Sequence, residues 1–135
     1  MRNNIKTVVR AIIVDEEGKV LLGKRASGDF VGKWALVGGR PEEGEVPNET
    51  IIREVKEELG VDFDPKFYYV ETDKESIPGQ FWNVIYFTGS ISGEINLNDE
   101  IGEVKFVTVN DLNNLDIAYD HKEKLVGFFR LQNRN

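Results

Sequence analysis

Apolar and polar positions along this chain recur with two periods, and the periods divide it into strands and helices. Thr7 to Val14 and Lys19 to Lys24 are rich in β-branched and aliphatic residues and read as β-strands. The acidic turn Asp15-Glu16-Glu17-Gly18 between them predicts a hairpin, and its three acids, lacking calcium-loop spacing, read as turn residues. Ala26 to Lys33 holds two glycines and reads as a loop, after which a short strand from Trp34 to Val37 runs into Gly38-Gly39. The period then changes to that of a helix, from about Asn48 to Leu59, with Pro47 near its start and Gly60 as its stop. Ile51, Ile52, Val55 and Leu59 form its apolar stripe.

Two further strands, Lys66 to Thr72 and Gln80 to Thr88, are separated by Pro78-Gly79, and the second is apolar or aromatic enough to be central in a sheet. Val104, Phe106 and Thr108 alternate with Lys105, Val107 and Val109 as another strand, and Asp111 to Leu115 reads as a helical turn. A last helix, from about Tyr119 to Leu131, puts Leu125, Phe128 and Phe129 on the core, while His121 at its start is expected to be solvated. Strands, helix, strands, helix is an α/β order that favours a mixed β-sheet between helices, in one domain over residues 1–135 with no repeat or linker.

Composition narrows the function classes. The chain has no cysteine, which excludes a disulfide framework and a thiol nucleophile and fits a reducing cytoplasm. No apolar run approaches the ~20 residues of a membrane span, so no membrane partner is expected. With 17 basic and 24 acidic residues the net charge is −7, which disfavours a nucleic-acid polymer as partner. An acidic cleft holds an anionic phosphate only through intervening cations, so the charge and the acids together point to a metal-bound phosphate ester or anhydride.

The acids in question are Glu54, Glu57 and Glu58, at i, i+3 and i+4. At about 100° per residue they leave one side of the helix as a cluster, roughly 120° round from the apolar stripe. A solvated acidic face would look the same in isolation. Upstream, however, Gly38 and Gly39 allow a close backbone turn, and Glu45 and Arg53 can pair between loop and helix. Oxygen-only ligation favours magnesium, manganese or calcium over zinc.

Residues 39–61, GRPEEGEVPNETIIREVKEELGV, place Gly39, Glu45, Arg53, Glu54, Glu57, Glu58 and Gly60 in the order Gly, Glu, Arg-Glu, Glu-Glu, Gly that resembles the Nudix box. The opening strand pair, the Trp-Ala-Leu-Val-Gly-Gly approach and a late strand preceded by acids extend the likeness over most of the chain, and Val37 stands where the family often has proline. The resemblance implies an α/β/α sandwich and a divalent-metal-dependent hydrolase. It implies that Glu54, Glu57, Glu58, Glu100 and the Gly38 carbonyl hold magnesium, with manganese as a substitute, and that Glu57 or Glu100 is the general base, Glu103 being the second choice on that loop. Arg53 joins the catalytic set as the organiser of loop and acids, with Gly39, Glu45 and Gly60 shaping the box.

Arg25 and Arg40 flank the box and suit bidentate phosphate binding, as similar arginines do in the GDP-mannose mannosyl hydrolase branch. That branch has a degraded glutamate pattern and a loop histidine, whereas this chain keeps the full box and has His121 alone, which argues for attack at phosphorus. The expected substrate is a nucleoside diphosphate linked to another moiety, of ADP-ribose or nucleotide-sugar type, on the strength of Gly32-Lys33-Trp34-Ala35-Leu36 and of Pro78. Hydrolysis of (oxidised) nucleoside triphosphates is the alternative of the same chemistry. A non-catalytic nucleotide-sensing domain and a partner-binding domain with an acidic face are the alternatives of other classes. Trp34, Trp82, Phe81, Tyr68 and Tyr69 can stack on a base or fill the core, and because family members are commonly dimers a homodimer is expected.

Overall fold

The computed structural model describes residues 5–133. Its elements are β1 (Lys6–Ile13), β2 (Val20–Arg25), β3 (Trp34–Ala35), β4 (Val37–Gly39), α1 (Pro47–Leu59), β5 (Asp62–Ile77), β6 (Gln80–Ser92), β7 (Ile101–Val107), a 3-10 turn (Asn110–Asn114) and α2 (His121–Gln132). They make two sheets, β4-β1-β6-β5 and β3-β2-β7, with β1 and β6 parallel and the other pairs antiparallel.

Period-2 alternation along β1 explains why helices cover both faces. Val9, Ala11 and Ile13 turn to one side and pack with Ile51, Val55 and Leu59 of α1. Ile12 turns to the other, where Leu125, Phe128 and Phe129 of α2 close a second cluster. The result is the expected α/β/α sandwich, and β6 lies inside its sheet between β1 and β5 as its apolar sequence predicts. Among the described residues no helix is long and apolar enough to cross a membrane.

Four expectations are corrected. The predicted hairpin reduces to one bridge, Val14 to Val20, because β1 and β2 part into different sheets. The strand predicted from Trp34 to Val37 breaks at Leu36, so β3 joins β2 and β4 joins β1. Ile52 is 43% exposed while Glu58, at 6%, is buried: the two lie on opposite edges of the stripe Ile51, Val55 and Leu59, and the helix turns the Glu58 edge inward. His121, expected to be solvated, is 2% exposed: it lies on the stripe that continues through Leu125 and Phe128.

The ends of α1 are set by local chemistry. The Val46 N–H donates to Glu49 Oε1 at 3.0 Å, and Pro47 occupies the first turn, where a missing N–H costs nothing. Gly60 ends the helix at φ 73°, a left-handed conformation that a side chain disfavours.

Candidate active site

Where β4 meets α1 the backbone and a carboxylate approach each other closely. A Cβ on Gly38 would stand 2.0 Å from the Val9 carbonyl oxygen, and one on Gly39 would stand 2.3 Å from the Glu54 carboxyl carbon. Glycine at both positions thus lets β4 pair with β1 and lets α1 bring Glu54 to the strand.

Arg53 fastens the preceding loop to the helix. Its Nε donates to Glu45 Oε2 at 2.7 Å and its Nη2 to Glu45 Oε1 at 3.0 Å, a bidentate pair. Nη1 reaches Glu54 at 3.0 Å and Glu57 at 3.1 Å, and Nη2 also donates to the Arg40 carbonyl at 3.2 Å. These hydrogen bonds, from Arg53 first, lower Glu45 to a pKa of about 2. The Glu45 carboxylate also accepts from Thr50 Oγ1 at 2.8 Å, which ties the loop to the buried side of α1.

Glu54 and Glu58 are neighbours on the cleft side of α1, close enough that each carboxyl acts on the other's ionisation. Burial raises the pKa of both, and for Glu58 the neighbouring Glu54 and Glu100 add to it, so in the absence of a cation the pair retains a proton. Glu58 Oε2 is buried with no hydrogen-bond partner. An orphaned carboxylate oxygen beside a second carboxylate suits a hard divalent cation. Among the described residues no three acids, imidazoles or thiols form a ready metal-binding group, because Glu57 is turned onto Arg53 and Glu54 shares its carboxylate with the same guanidinium.

These acids border a cleft of about 900 Å³. Gly38, Gly39, Glu54, Glu57, Glu58, Glu100, Arg25 and Arg40, all read from the sequence, line it. Arg53, Glu45 and Gly60 are not among its lining residues, nor is Glu103, which is exposed on β7 opposite Lys24. Arg25 is largely engaged by its own loop, donating from Nε to the Asp29 carbonyl and from Nη2 to that of Ser27 at 3.5 Å. Arg40 stacks over the Trp82 ring at 5.4 Å, so of the aromatics singled out in the sequence Trp82 faces the cleft. Trp34 belongs to the core, Tyr68 packs edge-on against Phe128 at 5.2 Å, and Tyr69 is 45% exposed.

Arg10, His121, Tyr119, Phe30 and Lys74 also line the cleft, and sequence reasoning passed over all five. Two had a signal. Arg10 is a charge inside the apolar run Thr7 to Ile13, and His121 shares the helical stripe of Leu125 and Phe128. Phe30 and Tyr119 meet edge to face at 4.7 Å, each in a left-handed conformation, φ 59° and φ 57°, that sequence does not announce for an aromatic residue.

The NUDIX domain family model matches residues 5–127. The chain is 34% identical over 127 residues to the ADP-ribose pyrophosphatase of Methanocaldococcus jannaschii, covering 90% of this chain and 72% of that protein. It is 33% identical over 118 residues to the nucleoside triphosphatase NudI of Enterobacter sp. strain 638, covering 78% and 84%. In fold it is similar to the crystal structure of the MutT protein from Methanosarcina mazei Go1, at TM-score 0.81 and 24% identity over 100% of this chain and 99% of that one. With box, cleft and sandwich in one chain, the protein belongs to the NUDIX domain family and is a Nudix hydrolase acting on phosphoric anhydride bonds.

Proposed function

We propose that the protein hydrolyses, with a divalent cation, a nucleoside diphosphate linked to a second moiety, ADP-ribose before other nucleotide sugars. The observation that carries the metal dependence is Glu58 Oε2, buried without a partner against Glu54 at the edge of the cleft. Glu54, Glu57 and Glu58, with Glu100 and the Gly38 carbonyl beside them, are the residues to hold the cation, magnesium before manganese. Such an ion supplies positive charge to the diphosphate and lowers the pKa of an attacking water.

The chain's own residues do the rest. Glu57, with its side chain 51% exposed and held by Arg53, and Glu100, near enough to Glu58 to act on its charge, are the candidates to take the water's proton. Arg53 holds Glu54 and Glu57 at their places without touching the reacting atoms. Arg40, over the Trp82 ring, presents a guanidinium to phosphate.

Similarity to an ADP-ribose pyrophosphatase over 90% of this chain supports the substrate class. Similarity to a nucleoside triphosphatase supports the second reading, release of pyrophosphate from a triphosphate. Chromatography of products from ADP-ribose, nucleotide sugars, dinucleotides and triphosphates, with and without magnesium, separates the two. Metal-dependent release of AMP and ribose 5-phosphate is expected, abolished by Glu57→Gln. Pyrophosphate from triphosphates, with ADP-ribose left intact, would replace the first reading by the second, and tight nucleotide binding without turnover would make the domain a sensor.

A further inference from the structure

Two cleft residues outside the carboxylate cluster are fastened to one backbone residue. The Leu36 N–H donates to Nδ1 of His121 at 3.1 Å, and the Leu36 carbonyl accepts from Nη1 of Arg10 at 3.4 Å. Tyr119 lies against both, its ring centroid 5.1 Å from the Arg10 guanidinium carbon and 5.0 Å from the imidazole centroid. Tyr119 holds that position at φ 57°, a strained choice for a residue with a side chain. Leu36 is the break between β3 and β4, two residues before Gly38, so this anchor and the glycine pair share one segment.

Both side chains have donors to spare. An imidazole whose Nδ1 accepts from a backbone N–H carries its proton on Nε2 when neutral. Burial, with Arg10, Lys74 and Arg25 adding to it, holds His121 well below its ordinary pKa and therefore neutral. Among the described residues Nε2 makes no hydrogen bond, and Arg10 makes none besides that to Leu36. The other nearby cations are committed: Lys74 to Asp120 and Glu71, Arg25 to the carbonyls of its loop. Arg10 also lies within the field of Glu58, which places the pair beside the acidic wall.

We propose that Arg10 and His121 form a two-donor subsite for phosphate oxygens of the substrate, the guanidinium supplying charge and the imidazole Nε2–H a directed hydrogen bond. For the identity of the anion this rests on the diphosphate reading above. The acids then serve one part of the diphosphate through a cation, and the Leu36-anchored pair grips another part directly. A neutral imidazole among cations adds direction without adding repulsion between the donors.

The test reads the ring nitrogens of His121 by NMR in nitrogen-15-labelled protein kept metal-free with EDTA, while inorganic phosphate and then AMP are added near neutral pH. The Nε2–H tautomer is expected in the free protein, with a saturable shift at Nε2 whose affinity falls roughly tenfold or more in Arg10→Gln. His121→Asn retains an acceptor for the Leu36 N–H and removes the ε donor, and His121→Gln does the reverse. With whichever compound the wild type hydrolyses, His121→Asn is expected to raise KM roughly tenfold at an unchanged melting temperature, and His121→Gln to recover part of the affinity. An Nδ1–H tautomer, a phosphate titration that leaves Nε2 unmoved, or a wild-type KM in His121→Asn each overturn the subsite. Failure of the functional reading looks different: no compound is hydrolysed, while phosphate still shifts Nε2 and the subsite stands.

Discussion

Glu58 is content in this fold as a carboxylic acid or as a metal ligand, and not as a bare anion. Its folded pKa lies above its unfolded one, so the folded state binds the extra proton and stability is fullest below the usual glutamate range. Without metal, stability should fall as pH rises from about 4.5 through the folded value. In EDTA at pH 8, Glu58→Gln should therefore raise stability by about 1–3 kcal/mol, a melting temperature several degrees higher, while magnesium no longer stabilises the protein. Calorimetry with and without metal reads both halves, and a Gln variant that melts lower than wild type in EDTA would show that the carboxylate is satisfied after all. Gly39 makes a complementary demand of space. Alanine there would drive its Cβ to 2.3 Å from the Glu54 carboxyl carbon, so Gly39→Ala should cost about 1–3 kcal/mol in urea unfolding and weaken magnesium affinity through the displaced acid.

Helix α1 is useful because Arg53 holds it to its own preceding loop. The guanidinium meets Glu45 twice, at 2.7 and 3.0 Å, and Glu54 at 3.0 Å, and no ammonium can span that fork. Arg53→Lys should keep the charge yet lose the bridge, lowering magnesium affinity or kcat about 10- to 100-fold, whereas added salt should restore neither. A metal titration beside steady-state kinetics checks this, and a Lys variant within threefold of wild type would reduce Arg53 to a surface cation. This element was the most legible in the chain, since a helical period, a proline near the start and a glycine at the end are all local. The strands were legible as strands but not as sheets. Val14 and Val20 make the single bridge between β1 and β2 because partner choice is decided by distant segments, β6 and β7, that a two-residue period does not name. In the site, the acids and glycines followed from the box spacing. Arg10 and His121 did not, because each is defined by a hydrogen bond to Leu36, 26 and 85 residues away in the chain.

At the scale of the molecule, β5 and the head of α2 both contribute residues to the cleft, and a closed ring of alternating charges joins them. Lys74 of β5 pairs with Asp120 at the head of α2 and with Glu71 at 3.4 Å, and Lys124 returns from α2 to Glu71 at 3.1 Å and to Asp120 at 3.8 Å. All four side chains are between 17% and 28% exposed, so the ring is screened less than ordinary surface pairs. Sequence separations of 46 and 53 put it beyond any local pattern. Strand β5 reaches the ring only by distorting, with register shifts at Phe67/Tyr69, Glu71/Lys74 and Glu75/Ile77 and Asp73 at φ 56°. Lys74 and Asp120 line the cleft, and Glu71 and Lys124 stand behind them. The outer rung can therefore be cut without entering the cleft. A double-mutant cycle of Glu71→Gln and Lys124→Met should give a coupling of about 1 kcal/mol in urea unfolding, more than an isolated exposed pair, because the inner rung loses its support as well. Asp120→Asn, which cuts the inner rung, should in addition raise KM, since α2 carries His121 as its first residue. A coupling near zero, with KM unchanged in Asp120→Asn, would mean that the apolar contacts of Leu125, Phe128 and Phe129 alone hold α2 in place and that the ring does not position it.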